Sequence, residues 1–373
     1  MTLAPIPPPV LAAWRDLDGR PARILHGGLI NDTFLVEGRR GDVVLQRLHP
    51  VFAGEVNEDI EAVTAHLAAK GLATPRLLRT DGGALWVEHL GRPWRAQTFV
   101  AGETVERVES PARAREAAAL VARFHGALAD LDWRYRHVRA GVHDTARHLE
   151  ALRRVFAGGE GGPGAPEGDP RAHRLYDRAA PLAEELLAAA EALPDFSSLP
   201  ARHAHGDLKI SNVLFEVGPG AAAGRAICLV DLDTLGRMPW PHEMGDALRS
   251  WCNPRGEDVA EAALDEEIFR AAVTGYAAAA RDVVPVATGE AAALAGAEVA
   301  LLVAGVHAIC VELAARFLAD AIAERYFGWD PSRFPGRGEH NLLRARGQAS
   351  LAASVRAQAG ALEEIVRLAW GVG

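Results

Sequence analysis

Two short motifs joined by a glycine-rich turn constrain the fold of this chain more than any other feature. The first reads H-G-D-L-K-I-S-N over residues 205–212, and the second reads V-D-L-D over residues 230–233. Between them, two β-prone runs flank the turn, which predicts an antiparallel hairpin. Either motif alone is a common accident. Their order and spacing around one hairpin are much rarer, so we interpret them as a single functional unit.

The residue types in these motifs suit phosphoryl transfer. Asp207 can accept the proton of an attacking hydroxyl, and Asn212 and Asp231 carry the oxygen ligands that Mg²⁺ prefers. Lys209 can place a cation on the transferring phosphoryl group, whose oxygens carry the charge of the transition state. An Asp followed by an Asn and then by V-D-L-D beyond a hairpin is the layout of kinase-like enzymes. The sequence therefore predicts an Mg²⁺-dependent kinase with Asp207 and Lys209 as catalytic residues.

The N-terminal part of the chain predicts a nucleotide-binding sheet. Two β-prone runs flank Gly27 and Gly28 and continue through Asn31, and a third run reads V-V-L-Q-R-L over residues 43–48. This pattern predicts a three-stranded meander. In kinase-like folds the first turn lies over the nucleotide phosphates, where glycines let backbone amides approach the ligand. An ordinary turn is the alternative interpretation of the glycine pair.

The third run and the helix after it supply the other predicted nucleotide contacts. Period-two alternation places Val44 and Gln46 on one face, where a kinase carries a small residue under the adenine and a phosphate-pairing lysine. Glutamine replaces that lysine here. On the following helix, Glu58 and Glu61 are candidates for the carboxylate that orients the phosphate-binding side chain, with a solvated surface glutamate as the alternative.

Length and patterning predict a chain with two lobes. With 373 residues, of which 49% are hydrophobic, the chain exceeds one compact core. We expect an α+β, protein-kinase-like fold. A small antiparallel β-sheet lobe would cover residues 1–102, and a larger, mainly helical lobe would cover residues 103–373. Long helices are predicted toward the C-terminus, over residues 258–280, 288–324 and 342–373.

Composition narrows the possible partners and the compartment. A net charge of −9 disfavours nucleic acid, because binding to a phosphate backbone draws on clustered Lys and Arg. Three cysteines without C-x-x-C spacing indicate neither a zinc site nor disulfides and fit a cytoplasmic protein. The N-terminus lacks a signal-peptide pattern. The longest apolar run, residues 291–313, contains two glutamates and a histidine, so we expect a buried helix and no membrane span. The sequence leaves the oligomeric state open.

Two further segments predict contacts around the site. Asp246 follows a proline-rich run and precedes A-L-R-S-W-C, where it would cap a helix or brace the catalytic loop through backbone amides. Residues 326–342 are dense in aromatic residues, arginines, glycine and proline. Such a loop suits a small polar ligand, because aromatic rings stack on sugar faces and Arg or His side chains bond to hydroxyls.

These residues make the chain resemble the aminoglycoside-phosphotransferase-like kinase superfamily and, within it, the N-acetylhexosamine 1-kinases. The superfamily resemblance rests on G27-G-x-x-N31, H205-G-D-L-K-I-S-N212 and V230-D-L-D233. The narrower resemblance rests on motifs spread over nearly the whole chain, namely V44-L-Q-R-L with V51-F, E58-D-I-x-x-V-T-x-H-L67, F99-V-A-G, V142-H-D-T145, D231-L-D-T, G245-D-A-L-R249, R316-F-L-x-D320, Y326-F and H340-N-L-x-R-A-R346.

The resemblance implies a bilobal enzyme that uses ATP and Mg²⁺ and phosphorylates the anomeric hydroxyl of an N-acetylhexosamine. The segment between Arg316 and Tyr326 is shorter than the family pattern, and His205-Gly206 stands where the family often has His-Asn. Both departures lie near the implied sugar pocket. The site residues that the resemblance implies are Asp207 as the base, Asn212 and Asp231 as metal ligands, and Arg316, Tyr326 and His340 as sugar contacts.

Two alternatives remain beside the sugar kinase. The first is a related kinase of another small alcohol, such as another sugar, an amino alcohol or an aminoglycoside. An aminoglycoside pocket should be acidic to match a polycation, whereas the segment over residues 316–346 is basic and aromatic. The second is a nucleotide-binding pseudokinase, because Gln46 replaces the lysine. The intact Asp207, Asn212 and Asp231 argue against it.

Overall fold

The computed structural model describes residues 6–25, 31–157, 169–218, 224–283 and 290–371. Its N-terminal lobe is an antiparallel sheet with strand order β1-β2-β3-β6-β4, in which β5 also pairs with β6. The predicted three-stranded meander is its first half. The strands are β1 (Ala22–Ile24), β2 (Asp32–Gly38), β3 (Gly41–Arg47), β4 (Leu77–Leu78), β5 (Val87–His89) and β6 (Arg92–Thr98).

Period-two alternation gives this sheet one apolar face and one polar face. Val43 and Leu45 of β3, with Trp94 and Ala96 of β6, pack into a small core that also includes Trp14. Successive side chains of a strand point to opposite faces. The residues between them, Val44 and Gln46 on β3 and Arg95 and Gln97 on β6, therefore lie on the other face.

The C-terminal lobe is mainly helical, and this architecture confirms the predicted fold class. Helix α9 is central, because α4, α5, α6 and α10 all pack against it. Two short antiparallel pairs join β7 (Ala201–Ala204) to β10 (Gly236–Pro239) and β8 (Val213–Phe215) to β9 (Ala226–Leu229). The helices are α1 (Pro8–Leu11) and α2 (Val56–Ala69) in the N-terminal lobe, then α3 (Pro111–Leu128), α4 (Thr145–Ala157), α5 (Tyr176–Glu191), α6 (Trp240–Trp251), α7 (Glu266–Val283), α8 (Glu290–Ala300), α9 (Leu302–Ala323), α10 (Arg337–Ala357) and α11 (Ala359–Trp370).

Several predicted helix boundaries were wrong. The helix predicted over residues 288–324 is two helices, α8 and α9, which meet at Leu301, and the last predicted helix breaks at Gln358. Helix α9 is long and apolar enough to cross a membrane by length and composition alone, but 78% of its most apolar window is buried inside the protein. It is the buried helix that the sequence predicts.

The two lobes meet at a short connecting segment and at α2. Glu103 exchanges two backbone hydrogen bonds with Phe215 of β8, at 2.9 and 2.8 Å. A Cβ atom at Gly102 would lie 3.0 Å from the carbonyl oxygen of Phe215, so only glycine lets the strands approach this closely. The predicted division at residue 102 falls in this segment and stays a prediction.

Candidate active site

The catalytic loop, residues 205–212, follows β7 and bends sharply at Gly206. Gly206 has a φ of +80°, and a Cβ atom there would clash with the carbonyl oxygen of Thr234. The Thr234 hydroxyl donates a 2.8 Å hydrogen bond to the carbonyl of His205. The His205 ring contacts the carbonyl of Val230 at 2.9 Å through Nε2. These contacts fix the loop against the V-D-L-D motif.

Helix α6 supplies three side chains that accept hydrogen bonds from the amides of this loop. Glu243, Asp246 and Ser250 are spaced three and four residues apart, so they share one face of the helix. The bracing role predicted for Asp246 is therefore confirmed, but the helix begins at Trp240 and Asp246 does not cap it. The bonds are His205 N to Glu243 at 2.7 Å, Gly206 N to Glu243 at 3.0 Å, Leu208 N to Asp246 at 2.8 Å and Ile210 N to Ser250 at 3.1 Å.

The brace depends on a charged Glu243. Burial raises the pKa of Glu243, but its contact with His125 and the loop amides outweigh burial and leave the pKa below its usual value. Helix α6 itself sits close to α9, because Gly245 and Gly305 leave no side chain between the two backbones. Hydrogen bonds from amides to a carboxylate are stronger than neutral ones. The loop is therefore rigidly positioned.

The structure brings three predicted residues, Lys209, Asn212 and Asp231, together around Asp207. Lys209 Nζ lies 2.8 Å from Asp207 Oδ2 and 3.9 Å from Asp231 Oδ2. Asn212 Nδ2 donates to Asp207 Oδ2 at 3.0 Å and to the Asp207 carbonyl at 2.8 Å. The side chain of Asp207 keeps 28% of its surface exposed, so an acceptor hydroxyl can reach it. Its role as the base stays a prediction.

The two carboxyl groups of this centre differ in basicity. Burial raises the pKa of Asp207, but the charge and hydrogen bond of Lys209, with the smaller effects of His205 and Arg249, together outweigh burial and hold the pKa at about 2. Burial also raises the pKa of Asp231, and although Lys209 opposes this effect, Asp233 and Asp207 add to it. The pKa of Asp231 therefore stays above its usual value. Three carboxyl groups close together create an excess of negative charge that a cation would relieve.

Asn212 and Asp231 fit an Mg²⁺ ion. The amide nitrogen of Asn212 bonds to Asp207, so its amide oxygen is the atom that can face a cation. Within the described part of the chain, no group of three His, Cys, Asp or Glu side chains is placed to hold a metal ion. Mg²⁺ needs no such cage, because it commonly binds one or two protein oxygens together with nucleotide phosphates and water.

The predicted nucleotide contacts do not share one environment in the structure. Gly27 and Gly28 lie outside the described residues. Asn31 is buried and donates from Nδ2 to Asp233 Oδ2 at 2.6 Å, while its Oδ1 accepts from the amide of His49 at 2.9 Å. Val44 lies on the polar face of the sheet, beside Gln46. Asn31 thus joins the N-terminal lobe to the V-D-L-D motif.

Gln46 contacts a buried cation that the sequence analysis missed. Gln46 Oε1 accepts hydrogen bonds from Arg95 Nε at 2.9 Å, Arg95 Nη2 at 2.7 Å and Gln97 Nε2 at 3.2 Å. Its amide nitrogen donates to Thr33 at 3.1 Å. Arg95 stands opposite Gln46 in the pairing of β3 with β6. The alternation in W-R-A-Q over residues 94–97 was the available signal, since it puts one arginine on the polar face.

Neither helix glutamate contacts Gln46 or Arg95 in the part of the chain that is described. Glu58 pairs with Arg136 at 3.4 Å and His137 at 3.8 Å, so the nucleotide role predicted for it has no supporting contact. Glu61 pairs with two surface arginines. The neighbouring Asn57 is the residue of α2 that faces the site, because its Oδ1 accepts from Arg95 Nη1 at 3.3 Å.

Helix α2 is also fixed to the other lobe. Asp59 is buried and accepts hydrogen bonds from the indole of Trp133 at 2.9 Å and from the amides of Arg136 at 3.1 Å and His137 at 2.9 Å. A buried carboxylate with several donors is a strong and specific contact. The segment after these amides, which includes Arg139, is therefore held next to the sheet lobe.

An open cavity of about 430 Å³ lies between the lobes beside this segment, and we call it the acceptor cleft. Arg139 is one of the residues that line it. The Arg139 guanidinium lies 5.5 Å from the ring of Phe52 and 5.6 Å from the ring of Tyr326, and it donates a hydrogen bond to the Tyr326 hydroxyl. Burial and Arg316 lower the pKa of Arg139, whereas the site carboxylates Asp207, Asp233 and Asp231 oppose them. Sequence reasoning missed Arg139, because it lies outside every motif.

Of the three predicted sugar contacts, Tyr326 lines this cleft, and Arg316 lies close enough to lower the pKa of Arg139. Tyr326 is 49% exposed, and Asp320 holds its backbone by accepting from the amides of residues 325, 326 and 327, each at 2.8 Å. The Arg316 guanidinium lies 5.6 Å from the ring of Phe327. Asp320, the last residue of the R-F-L-A-D run, therefore positions the loop that carries Tyr326.

His340 is placed differently from Arg316 and Tyr326. It is 1% exposed, and both ring nitrogens have protein partners: Nε2 lies 2.8 Å from Asp258 and Nδ1 lies 3.3 Å from the amide of Asp330. Its ring stacks on Phe334 with centroids 3.9 Å apart. These contacts hold the loop before α10, and none of them reaches the cleft. A direct sugar contact from His340 stays a prediction without a supporting contact.

Arg316 is held from behind by a buried carboxylate. Glu312 Oε1 lies 3.8 Å from Arg316 Nη1 and 3.5 Å from His143 Nδ1, and its other oxygen accepts from Thr145 at 2.7 Å. Burial lowers the pKa of His143, but Glu312 outweighs burial and raises it to about 9. Burial raises the pKa of Glu312, but His143 outweighs burial and lowers it to about 2. The pair is therefore ionised at neutral pH.

Comparison with known proteins agrees with this fold. A homoserine kinase from Methylobacterium nodulans is 28% identical over 230 residues, which cover 60% of this chain and 62% of that protein, so the match spans less than two thirds of the relative. An aminoglycoside phosphotransferase from Alicyclobacillus acidocaldarius shares the fold with a TM-score of 0.55, at 18% identity over 97% of this chain and 98% of that one. A spectinomycin phosphotransferase solved with ADP and spectinomycin gives a TM-score of 0.50, at 13% identity over 95% and 94% of the chains.

The profile of the phosphotransferase enzyme family matches residues 21–282, which is more than half of the chain. This range includes the sheet lobe, the catalytic loop, the V-D-L-D motif and helix α6. The chain belongs to the phosphotransferase enzyme family.

Proposed function

We propose that this protein is an ATP- and Mg²⁺-dependent kinase that phosphorylates the anomeric hydroxyl of an N-acetylhexosamine. The observation that carries the proposal is the partly exposed Asp207 carboxylate, paired with Lys209 at 2.8 Å and close enough to Arg139 of the cleft to oppose the lowering of its pKa. Membership in the phosphotransferase family supports transfer to an alcohol. The ADP bound in a neighbour of the same fold supports ATP as the donor.

Within this proposal each side chain has a separate task. Asp207 accepts the proton of the acceptor hydroxyl, and Lys209 turns from Asp207 toward the transferring phosphoryl group as negative charge develops there. Asn212 and Asp231 would hold Mg²⁺, which neutralises charge on the nucleotide phosphates when it is bound. Helix α6 keeps the loop rigid, so the base stays in line with the acceptor oxygen.

The basicity of Asp207 favours an acidic acceptor hydroxyl. While Lys209 is paired with it, Asp207 has a pKa held at about 2 and is a weak base. A weak base removes a proton more readily from a more acidic hydroxyl, and the anomeric hydroxyl is the most acidic hydroxyl of a free sugar. Deprotonation of an ordinary alcohol would depend more on the rise in the pKa of Asp207 that follows when Lys209 turns away.

The acceptor cleft favours a neutral or anionic acceptor over a polycation. Arg139 lines the cleft, Arg316 lies close enough to lower the pKa of Arg139, and the rings of Phe52 and Tyr326 can stack on a sugar face. A polycationic aminoglycoside would meet like charges there. Arg139, Arg316 and Tyr326 would therefore hold the sugar hydroxyls and the acetamido group.

A second candidate acceptor is a hydroxy amino acid. The homoserine kinase relative supports it, and the two guanidinium groups near the cleft suit a carboxylate, which arginine binds in a bidentate manner. In that case the phosphorylated group would be a primary alcohol. The product therefore distinguishes the two candidates.

The test is a panel of acceptors incubated with the enzyme and Mg·ATP, followed by ADP release. The panel contains N-acetylglucosamine, N-acetylgalactosamine, glucosamine, homoserine, choline and an aminoglycoside, with the Asp207→Asn variant as the control for background hydrolysis. We expect an N-acetylhexosamine to be consumed with loss of its reducing end and appearance of an acid-labile phosphate in the phosphorus NMR spectrum. Phosphorylation of homoserine alone, or a sugar phosphate that keeps its reducing end, would overturn the proposal.

A further inference from the structure

A buried arginine faces the nucleotide side of the site without an assigned task. Arg95 lies on the polar face of the sheet lobe and is 1% exposed. Its guanidinium bonds to Gln46 Oε1, to Asn57 Oδ1 at 3.3 Å and to the carboxylate of Asp233. Asp233 is thus its one anionic partner among these contacts. It comes from the other lobe, within the V-D-L-D motif.

The Arg95 guanidinium lies next to the position at which kinase-like enzymes carry a phosphate-binding lysine. Kinase-like enzymes carry a lysine on the third strand that pairs with the nucleotide phosphates. The chain contains two lysines, Lys70 and Lys209, and neither belongs to the sheet. Gln46 takes the lysine's place on β3, and both Arg95 Nε and Nη2 bond to its side-chain oxygen. The positive charge on this face of the sheet is therefore carried by β6, the strand paired with β3.

We propose that Arg95 is the residue that binds the phosphates of the nucleotide, with Gln46 and Asn57 fixing its guanidinium. The inference rests on the proposed ATP dependence and adds to it the residue that recognises the nucleoside diphosphate part. Arginine suits this task, because its planar fork can bond two phosphate oxygens at once. Gln46 orients the Arg95 guanidinium for phosphate binding, because its neutral amide oxygen accepts hydrogen bonds from the guanidinium without cancelling the positive charge.

Asp233 occupies the place of the phosphate when the nucleotide is absent. A buried guanidinium without an anion is costly, so the nucleotide-free protein needs a carboxylate there. Asp233 also accepts from Asn31 Nδ2 at 2.6 Å, so it keeps one donor when Arg95 turns toward a phosphate. The Arg95 to Asp233 pair and a bound phosphate are thus alternatives that compete for one guanidinium.

The experiment measures nucleotide binding by calorimetry, without any acceptor, for ADP, Mg·ADP and adenosine. Arg95→Gln should weaken ADP binding by roughly 10- to 100-fold, the range for lost hydrogen bonds to a charged group, and leave adenosine affinity unchanged. Arg95→Lys keeps the charge but not the fork and should fall between wild type and Arg95→Gln. Asp233→Asn should tighten Mg²⁺-free ADP, because it removes the competing carboxylate.

Two further variants separate phosphate binding from folding. Arg95→Gln with Asp233→Asn leaves no unpaired buried charge, and it should bind ADP as weakly as Arg95→Gln while melting close to wild type. Arg95→Gln with Gln46→Lys returns a cation to β3 and should recover part of the ADP affinity. An equal loss of adenosine and ADP affinity, or wild-type ADP affinity in the neutral double variant, would refute the inference.

These measurements distinguish the inference from the proposed function. Failure of the acceptor panel leaves ADP binding and its dependence on Arg95 intact. Conversely, if ADP binding does not depend on Arg95, the protein can still be an N-acetylhexosamine kinase that binds the phosphates through another residue. Absence of any ADP binding by the wild-type protein would refute the inference together with its premise of ATP use.

Discussion

Replacement of Lys209 by methionine tests how one ammonium group controls the predicted base. Lys209 Nζ lies 2.8 Å from Asp207 Oδ2. Burial raises the pKa of Asp207, but the charge and hydrogen bond of Lys209, with the smaller effects of His205 and Arg249, together outweigh burial and give a pKa of about 2, against an ordinary value of 3.8. Methionine has a similar length and no charge. In Lys209→Met both contributions of Lys209 are lost and burial is opposed by the smaller effects of His205 and Arg249, so the pKa of Asp207 should rise above its ordinary value.

The size of the effect follows from this shift. A fall from 3.8 to about 2 corresponds to roughly 2–3 kcal/mol, at about 1.4 kcal/mol for each pKa unit. The acid limb of kcat/KM reports the base of the free enzyme, so in Lys209→Met it should move upward to above about pH 4. The variant also loses the cation that faces the transferring phosphoryl group. We therefore expect kcat on the alkaline plateau to fall on the order of 10²-fold.

The assay is coupled ADP release with the acceptor that the panel identifies, measured from about pH 4 to 9, the range in which general bases titrate. Lys70→Met is the matched control, because Lys70 pairs with Asp130 at the surface and is the other lysine of the chain. It should keep the wild-type profile. A Lys209→Met variant with an unshifted acid limb and near-wild-type kcat would show that Lys209 neither lowers the pKa of Asp207 nor assists transfer.

Three other variants test the rest of the site. Asp207→Asn should lower kcat by roughly 10²–10⁴-fold, as for loss of a general base, and leave Mg·ADP affinity in calorimetry nearly unchanged; weak nucleotide binding would give Asp207 a different role. Asp231→Ala should weaken Mg·ADP but not Mg²⁺-free ADP, and equal affinities would remove it from the metal site. His143 has a pKa raised to about 9 from 6.5, so its stabilising effect is complete below pH 6.5 and is lost as pH rises to about 9. Thermal melts should show this loss in the wild type and not in His143→Gln, and identical pH dependence would contradict the ion pair with Glu312.

The parts of this structure that follow from local sequence pattern were predicted well. The catalytic loop, the hairpin and the V-D-L-D motif are adjacent in sequence, so spacing alone places Asp207, Asn212 and Asp231 near one another. The meander of the sheet lobe likewise follows from turns between β-prone runs. Side-chain alternation correctly gave the face on which Gln46 lies. Each of these inferences needs contacts between nearby residues only.

The parts that depend on distant contacts were missed or misplaced. Arg139 reaches the cleft because Asp59, far away in sequence, holds the segment before it against α2. His340 was predicted to face a sugar, but Asp258 and Phe334 engage its ring. Glu58 is an acidic residue on the predicted helix, but its carboxyl group pairs with Arg136. A motif gives residue types and spacing, and it does not specify which neighbour a long side chain will meet.

The relation between Gln46 and Arg95 shows most clearly where sequence reasoning ends. Alternation predicts that each residue lies on one face of its own strand, but only the pairing of β3 with β6 puts them opposite each other. A shift of that pairing by one residue would turn Arg95 toward the apolar core, where a guanidinium has no anion to meet. The contact with Asp233, 138 residues away, therefore also selects the register. A glutamine that looks like the loss of a catalytic lysine in the sequence is, in the fold, the acceptor that orients a cation from the next strand.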